Sequence, residues 1–254
     1  MKIARYLADG SPRYGIVEDG TVYQADGDLF EGLTKGAEVG SIDSLTLLPP
    51  VDPGKIVAIG LNYAAHVTEN DPNRTVPTEP VIFMKPQSAL LGHGGVIELP
   101  VANRIDHEAE LCIIIGKTAS RVSEAEAFDY VLGYTCGNDV SHRDFQRKDG
   151  QWVRAKGFDT FAPLGPVIET DLDTSNLSIQ ARLNGEVKQS SNTNNMIFKP
   201  AFLISFVSEV MTLHPGDVIM TGTPEGVSPM KAGDTIEVEI EGIGTLRNTT
   251  RARD

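Results

Sequence analysis

Two glutamates alternate with apolar residues at the start of a strand-like segment. Glu108 and Glu110 stand two positions apart, and an uninterrupted apolar run, residues 112–115, follows them. Because successive side chains of a β-strand point to opposite faces, both carboxylates are expected on the same face. A solvated strand face is the simplest explanation of such a pair, but the apolar run indicates burial. Buried carboxylates need a partner.

Asp139 could supply a third carboxylate to the same place, because it follows another apolar run and resembles a strand end. Three carboxylates without a cluster of histidine or cysteine form the hard, oxygen-rich site that Mg²⁺ or Mn²⁺ prefers. The five histidines are scattered, which argues against zinc. Glu108, Glu110 and Asp139 are therefore candidate ligands of a divalent cation.

A histidine and a glutamate stand three positions apart, at His66 and Glu69. On a helical turn they would face each other. A carboxylate beside an imidazole fixes its tautomer and raises its basicity, as in a general base that acts on water. An exposed short helix with an incidental pair explains the pattern equally well. Residues 71–77 read as a loop, so this segment could move as a lid.

Cationic and polar side chains follow several of the predicted strands. Alone, each lysine would normally be solvated. Near a metal, these side chains would form a positive pocket in an otherwise acidic protein, which suits a small organic anion. The candidates are Lys85, Arg143, Gln146 and Lys156.

A loop of glycine and threonine, which contains Gly222 and Thr223, directly follows the apolar run 217–220. Such loops can aim backbone N–H groups at a carboxylate, so both residues are candidates for substrate binding. The loop lacks the lysine of a phosphate-binding P-loop, so nucleotide binding is not implied. A plain tight turn is the competing explanation.

Short β patterns dominate the elements that must position these residues. Asn184-Gly185 predicts a hairpin turn, and only two segments, 123–132 and 200–212, have helical signals. Many strands with few helices indicate a mainly β, α+β architecture, a sandwich or roll. The proline- and glycine-rich segment 48–54 predicts a boundary between a small N-terminal β module, residues 1–50, and a main domain, residues 51–254.

The composition of the chain argues against several classes of protein. The 254 residues carry a net charge of -13, a field that repels phosphate backbones and argues against nucleic-acid binding. No apolar stretch reaches the roughly 20 residues that cross a bilayer, and the first ten residues do not resemble a signal peptide. With only two cysteines, a disulfide framework is excluded and a cytoplasmic protein is expected.

Six ordered motifs, which run from about residue 55 to the C-terminus, resemble those of the fumarylacetoacetate hydrolase family, with the short N-terminal region of its prokaryotic type. The motifs are Gly60-Leu61-Asn62-Tyr63-x-x-His66-x-x-Glu69, Phe83-x-Lys85-Pro86, His107-Glu108-x-Glu110-Leu111, Gly137-Asn138-Asp139-Val140-Ser141-x-Arg143-Asp144, Lys156-Gly157-x-Asp159-Thr160 and Thr221-Gly222-Thr223-Pro224-x-Gly226-Val227. One departure is Ala65, where the family often has an acidic residue.

The resemblance implies a mixed β-sandwich roll, usually a homodimer, with Mg²⁺ or Mn²⁺ held by the three carboxylates. It implies a catalytic dyad of His66 and Glu69 on a lid. It further implies that Lys85 or Lys156, with Lys156 as the catalytic residue, stabilises the charge of the enolate, and that five side chains match positions that line the substrate pocket. These are Lys85, Arg143, Gln146, Lys156 and Thr223.

The chemistry implied by the resemblance is that of a small 2-keto or 2,4-diketo acid that chelates the metal and passes through an enolate. Acylpyruvate hydrolysis or oxaloacetate decarboxylation is favoured because the dyad is complete. The alternative is 5-carboxymethyl-2-hydroxymuconate isomerisation, or decarboxylation of 5-oxopent-3-ene-1,2,5-tricarboxylate, in aromatic catabolism. An extra substrate carboxylate would need a further cation, for which Arg74 and Arg154 are candidates. A non-catalytic, metal-binding β-roll that recognises a ligand is the hypothesis of a different class.

Overall fold

Strands and turns account for most of the computed structural model, which describes residues 1–69 and 71–253. Asp254, the last residue of the predicted main domain, lies outside the described residues. Among the described residues, no helix is long and apolar enough to span a bilayer. The strands are β1 Lys2–Ala8, β2 Ser11–Glu18, β3 Thr21–Asp28, β4 Gly32–Ser41, β5 Ile56–Gly60, β6 Val81–Lys85, β7 Leu90–Leu91, β8 Val96–Leu99, β9 Ile105–Asp106, β10 Ala109–Ile115, β11 Val131–Asn138, β12 Ser141–His142, β13 Ala162–Glu169, β14 Ser178–Leu183, β15 Glu186–Asn192, β16 Val218–Met220, β17 Thr235–Ile240 and β18 Gly244–Ala252.

Helices are few and short. The α-helices are α1 Ala64–Thr68, α2 Arg143–Lys148, α3 Val153–Lys156 and α4 Pro200–Val210. The 3-10 helices are Ile42–Ser44, Gln87–Ala89, Glu124–Tyr130 and Thr193–Asn195. The mainly β, α+β architecture expected from the sequence is confirmed.

Two large sheets of mixed strand direction pack against each other. The order of the larger sheet is β4-β3-β2-β1-β13-β11-β10-β16-β5-β6, with β7 paired to β13. The order of the smaller sheet is β15-β14-β17-β18-β8, and β9 and β12 form a separate pair. Strand β10 is buried along its whole length, so it lies at the centre of the molecule.

The alternation of β10 divides its side chains between two apolar clusters. Leu111 and Ile113 belong to the cluster that includes residues of the smaller sheet, such as Ile179 and Val238. Residues 112 and 114 join a second cluster on the opposite face of the strand. Burial on both faces explains why the run reads as continuously apolar.

The two predicted helical segments have different outcomes. The second is confirmed as α4, which begins at Pro200. In the first, Glu124–Tyr130 is a 3-10 helix, and the chain then enters β11 at Val131. Residues 131–138 pair with β10, and a central strand satisfies their backbone groups better than an extension of the helix would.

The hairpin turn predicted at Asn184-Gly185 is present. Asn184 and Gly185 both have positive φ and close the β14–β15 hairpin. Positive φ at both central residues is typical of a type I′ hairpin turn, the type that an Asn-Gly pair favours.

The N-terminal strands continue the larger sheet. Strand β1 pairs with β13, where Ile3 lies opposite Ile168, and the buried side chains of Tyr6 and Val22 share an apolar cluster with Ile113. The division into a module of residues 1–50 and a domain of residues 51–254 stays a prediction.

Candidate active site

Three buried carboxylates converge where β10 begins and β11 ends. Because these strands are antiparallel, with Ala109 opposite Asn138, the start of one meets the end of the other. Glu108 directly precedes β10 and Glu110 is its second residue, and the Asp139 N–H donates to the carbonyl oxygen of Glu108 at 2.9 Å. One oxygen from each of the three carboxylates lies within 4.8 Å of the other two.

Cations neutralise two of the three carboxylates. Lys156 Nζ lies 2.7 Å from Glu108 and 2.5 Å from Asp139, and Lys85 Nζ lies 2.5 Å from the other oxygen of Asp139. Arg143 adds a contact to Glu108 at 2.6 Å. Burial by itself would raise the pKa of Glu108, but the charges of Lys156 and Arg143 outweigh it and hold this pKa well below its usual range.

Glu110 has no such partner. It is 1% exposed and forms no ion pair with any residue of the described chain, and its Oε2 accepts a hydrogen bond from the Gly222 N–H at 2.7 Å. Burial, followed by the charges of Asp139 and Glu108, raises the pKa of Glu110 well above its ordinary value. A buried carboxylate in this position favours either a proton or a cation beside it.

The donor set fits a divalent cation. Glu108, Glu110 and Asp139 offer oxygen atoms only, as Mg²⁺ and Mn²⁺ prefer, and Glu110, which forms no ion pair with a described residue, would exchange its proton for the ion. The two lysines limit the net charge of the cluster.

The dyad lies at the C-terminal end of α1, beside the carboxylate cluster: His66 is in the helix and Glu69 directly follows it. His66 Nδ1 lies 3.0 Å from Glu69 Oε2, and Glu69 Oε1 accepts a hydrogen bond from the Gly226 N–H at 2.7 Å. Burial opposes ionisation of Glu69, but the hydrogen bonds from His66 and Gly226 prevail and lower its pKa. Since an ionised carboxylate only accepts hydrogen bonds, Nδ1 of His66 carries a proton, and in the neutral imidazole the free lone pair is therefore on Nε2.

The loop after β16, residues 221–227, connects the dyad with the carboxylates. Its N–H groups are indeed aimed at carboxylates, but these belong to Glu110 and Glu69. Glycine is required at two positions: Gly222 has φ +97°, and Gly226 has φ +94° and lies so close to β15 that a Cβ would be 2.0 Å from the carbonyl oxygen of Lys188.

An inner and an outer cavity meet at His66. The inner cavity, about 30 Å³, is lined by the three carboxylates together with Lys156 and Thr223. The outer cavity has a volume of about 470 Å³. His66, Gln146 and Trp152 line both cavities, so the imidazole faces the junction between them.

Arginines surround the outer cavity. Arg74, Arg104, Arg143 and Arg147 line it, together with Asp71 and Asp106. Arg104 and Arg143 both bind Asp106, while Arg147 pairs with Asp144. Of the two arginines left open by the sequence, Arg74 therefore lines the cavity, whereas Arg154 is exposed and pairs with Asp149.

The structure brings most of the predicted site residues together. Lys156, Gln146 and Thr223 line the inner cavity, and Arg143 lines the outer one. Lys85 lies behind Asp139 and is not among the described residues that line either cavity. Gly222 contacts Glu110 through its backbone, so its predicted role toward a substrate stays a prediction.

Sequence reasoning missed three residues around the site. Asp106 is fully buried and holds Arg143, Trp152 lines both cavities, and Gln189 reaches the site from β15. Asp106 stands two positions before Glu108, so the alternation that singled out the glutamates could also have included it. Gln189 carries no comparable signal, because only the packing of the two sheets brings it near.

Comparison with known proteins identifies the class. Residues 55–251 match the model of the fumarylacetoacetate hydrolase C-terminal domain, and residues 1–50 match an N-terminal domain described as Rv2993c-like. The chain belongs to the fumarylacetoacetate hydrolase family, whose members are enzymes.

Individual relatives have several activities. The chain is 44% identical to the mitochondrial oxaloacetate tautomerase of Xenopus laevis, over 82% of this chain and 69% of the relative. It is 43% identical to the 5-carboxymethyl-2-hydroxymuconate delta-isomerase of Mycobacterium smegmatis, whose solved structure is covered completely with a TM-score of 0.92. A maleylpyruvate hydrolase from Sphingobium, solved with Mn²⁺ and pyruvate, is 31% identical with a TM-score of 0.82 and full coverage of both chains.

Proposed function

We propose that this protein is a divalent-cation-dependent enzyme that moves a proton at the carbon beside the keto group of small 2-keto dicarboxylates. Oxaloacetate, interconverted between keto and enol forms, is the simplest such substrate. The observation that carries the proposal is the position of His66 at the junction between a carboxylate cluster and an arginine-lined cavity.

The proton acceptor would be His66 Nε2. Glu69 Oε2 accepts a hydrogen bond from Nδ1 at 3.0 Å, which leaves Nε2 free to take the proton from carbon or return it. Glu69 is itself fixed by Gly226, so the imidazole need not reorganise during the reaction.

Binding of the 2-keto acid end would fall to the inner cavity. The divalent cation, held by Glu108, Glu110 and Asp139, would act when bound as a Lewis acid that increases the acidity of the neighbouring C–H group. Lys156 lines the same cavity, and its ammonium would balance negative charge that develops on the substrate oxygen. Gln146, which lines both cavities, would orient the substrate between them.

The outer cavity supports a second carboxylate on the substrate. Arg74 forms no ion pair with a described residue and, with Arg104 and Arg147, supplies positive charge to the cavity. Acetylpyruvate, a hydrolase substrate with a single carboxylate, would not use this charge. Decarboxylation would turn a carboxylate bound there into neutral CO₂ and lose its ion pairs in the transition state, which disfavours that reaction. The arginines thus favour tautomerisation over hydrolysis of a monocarboxylate such as acetylpyruvate and over decarboxylation of oxaloacetate.

Isomerisation of 5-carboxymethyl-2-hydroxymuconate is the second candidate. It is also a proton transfer next to a 2-keto acid, and a cavity of about 470 Å³ accommodates a substrate larger than a four-carbon diacid. The name of the Mycobacterium smegmatis relative supports the same candidate. A homodimer, a cytoplasmic location and the choice between Mg²⁺ and Mn²⁺ stay predictions.

The test is the decay of the ultraviolet enol band of oxaloacetate with Mg²⁺- or Mn²⁺-loaded protein, alongside metal alone, and with pyruvate formation followed in parallel. We expect enol decay without matching pyruvate formation. His66→Gln should slow the decay about 100-fold or more, because general-base catalysis typically contributes that much. His214→Gln is the matched control, since His214 is exposed and lines neither cavity.

Loss of the enol band without any dependence on His66 would contradict the proposed proton transfer. Pyruvate formation at the same rate as enol decay would identify a decarboxylase instead. If loaded protein accelerates only the hydroxymuconate reaction, the second candidate replaces the first.

A further inference from the structure

A fully buried glutamine connects the smaller sheet with the candidate active site. Gln189, on β15, is 0% exposed and uses both ends of its amide group. Its Oε1 accepts from the Ala109 N–H at 2.9 Å, and its Nε2 donates to the carbonyl oxygen of Pro224 and to Thr223 Oγ1, each at 2.8 Å. The side chain therefore spans from β10 to the loop of residues 221–227.

Two backbone groups fix the orientation of this amide. The Ala109 N–H can only donate and the Pro224 carbonyl can only accept, so Oε1 and Nε2 cannot be exchanged. His107 Nδ1, 3.0 Å from Oε1, must then donate as well. Its other nitrogen lies 2.8 Å from the Ser228 hydroxyl, which holds the ring from the opposite side.

This orientation determines what Thr223 can do. Because Nε2 of Gln189 donates to Thr223 Oγ1, one lone pair of the hydroxyl is occupied and its own proton must point elsewhere. No residue in the described part of the chain accepts this proton by a hydrogen bond. Thr223 is 3% exposed and lines the inner cavity with Lys156 and the carboxylates. An acceptor for its proton can therefore come from a molecule bound in that cavity.

We infer that Gln189 is a positioning residue that keeps the Thr223 hydroxyl as a hydrogen-bond donor to a carboxylate or enolate oxygen of the bound 2-keto acid. This inference rests on the proposed function for the identity of the ligand. Gln189 does not touch the substrate, so it acts through Thr223. A glutamine suits the position because it can satisfy the Ala109 N–H and still donate to Thr223.

The test measures pyruvate binding to the Mn²⁺-loaded protein by calorimetry, and KM and kcat for turnover. Gln189→Glu keeps the acceptor for Ala109 but places an oxygen opposite Thr223, which draws the hydroxyl proton away from the cavity. We expect Q189E and Thr223→Val each to weaken pyruvate binding about tenfold or more, as for a lost hydrogen bond to a charged group. In turnover, KM should rise more than kcat falls.

The double variant distinguishes positioning from a structural role. If Gln189 acts through Thr223, Q189E combined with T223V should bind pyruvate no more weakly than T223V alone. Thr223→Ser, which retains the hydroxyl, should stay within about threefold of wild type. Gln180→Met is the matched control, because Gln180 lies on the adjacent strand β14, away from both cavities, and should leave binding unchanged.

Either of two results would overturn the inference. One is that T223V binds pyruvate as tightly as wild type. The other is that the losses of pyruvate affinity caused by Q189E and T223V multiply in the double variant. If Q189E does not fold, Gln189→Met replaces it in the single and double variants, and the same changes in pyruvate binding are expected. Pyruvate binding is measured without turnover. A protein that does not turn over oxaloacetate would therefore contradict the proposed function, whereas the binding data would still decide the role of Gln189.

Discussion

At the scale of single residues, Glu110 is the carboxylate whose charge should depend most on a bound cation. Its raised pKa means that the metal-free folded protein keeps a proton which the unfolded chain releases. Stability of the metal-free protein should therefore fall as pH rises from the ordinary glutamate pKa to the raised one, by about 1.4 kcal/mol for each unit between them. In a chain of this length, 1 kcal/mol corresponds to roughly 2–4 °C in melting temperature.

A bound divalent cation replaces the proton on Glu110 and removes this pH-dependent loss of stability. The difference in melting temperature between metal-loaded and metal-free protein should thus grow with pH over the same range, as scanning calorimetry can measure. Glu110→Gln should abolish this growth, whereas Glu209→Gln, exposed on α4, should retain it. A metal effect independent of pH in wild type would count against Glu110 as a ligand.

At the scale of elements, the loop of residues 221–227 joins the carboxylates to the dyad, so its backbone should be sensitive to substitution. Gly226→Ala adds a Cβ at positive φ and against the carbonyl oxygen of Lys188. The loop must then shift, and Glu69 loses its N–H donor. We expect turnover to fall roughly tenfold or more and stability by more than the ~1–2 kcal/mol that a left-handed alanine costs.

Gly20→Ala is the control for the cost of placing alanine in a left-handed backbone conformation. Gly20 also has positive φ but a Cβ there would meet nothing within 4 Å. It should cost about 1–2 kcal/mol in urea unfolding and leave turnover unchanged. Equal effects of the two substitutions on turnover would show that the loop does not hold the dyad.

The same scale shows why some elements were predictable. The alternation in β10 depends on neighbouring residues only, and the Asn184-Gly185 turn depends on two residues with the right backbone freedom. The segment 123–132 was harder, because its helical signals are local while the strand from Val131 onward is stabilised by its pairing with β10. Tertiary contacts override a weak local preference.

At the scale of the whole molecule, the N-terminal strands and the main domain should unfold together. Strand β1 extends the larger sheet through β13, and the buried Tyr6 and Val22 share an apolar cluster with Ile113. Fluorescence of Trp152, the only tryptophan, should therefore give the same urea midpoint as far-ultraviolet circular dichroism, which reports all strands. A separate earlier transition in circular dichroism would instead indicate an independent N-terminal module.

The sequence by itself determined the residue types, the shared face of Glu108 and Glu110, the pairing of His66 with Glu69 and the family resemblance, because these depend on short spacings and ordered motifs. Only the tertiary structure decided that Lys85 lies behind Asp139, that Glu110 forms no ion pair with a described residue and that arginines line the outer cavity. It also brought Gln189 to Thr223. The physical reason is that charge compensation and hydrogen-bond direction depend on distances between side chains far apart in sequence, which sheet packing alone sets.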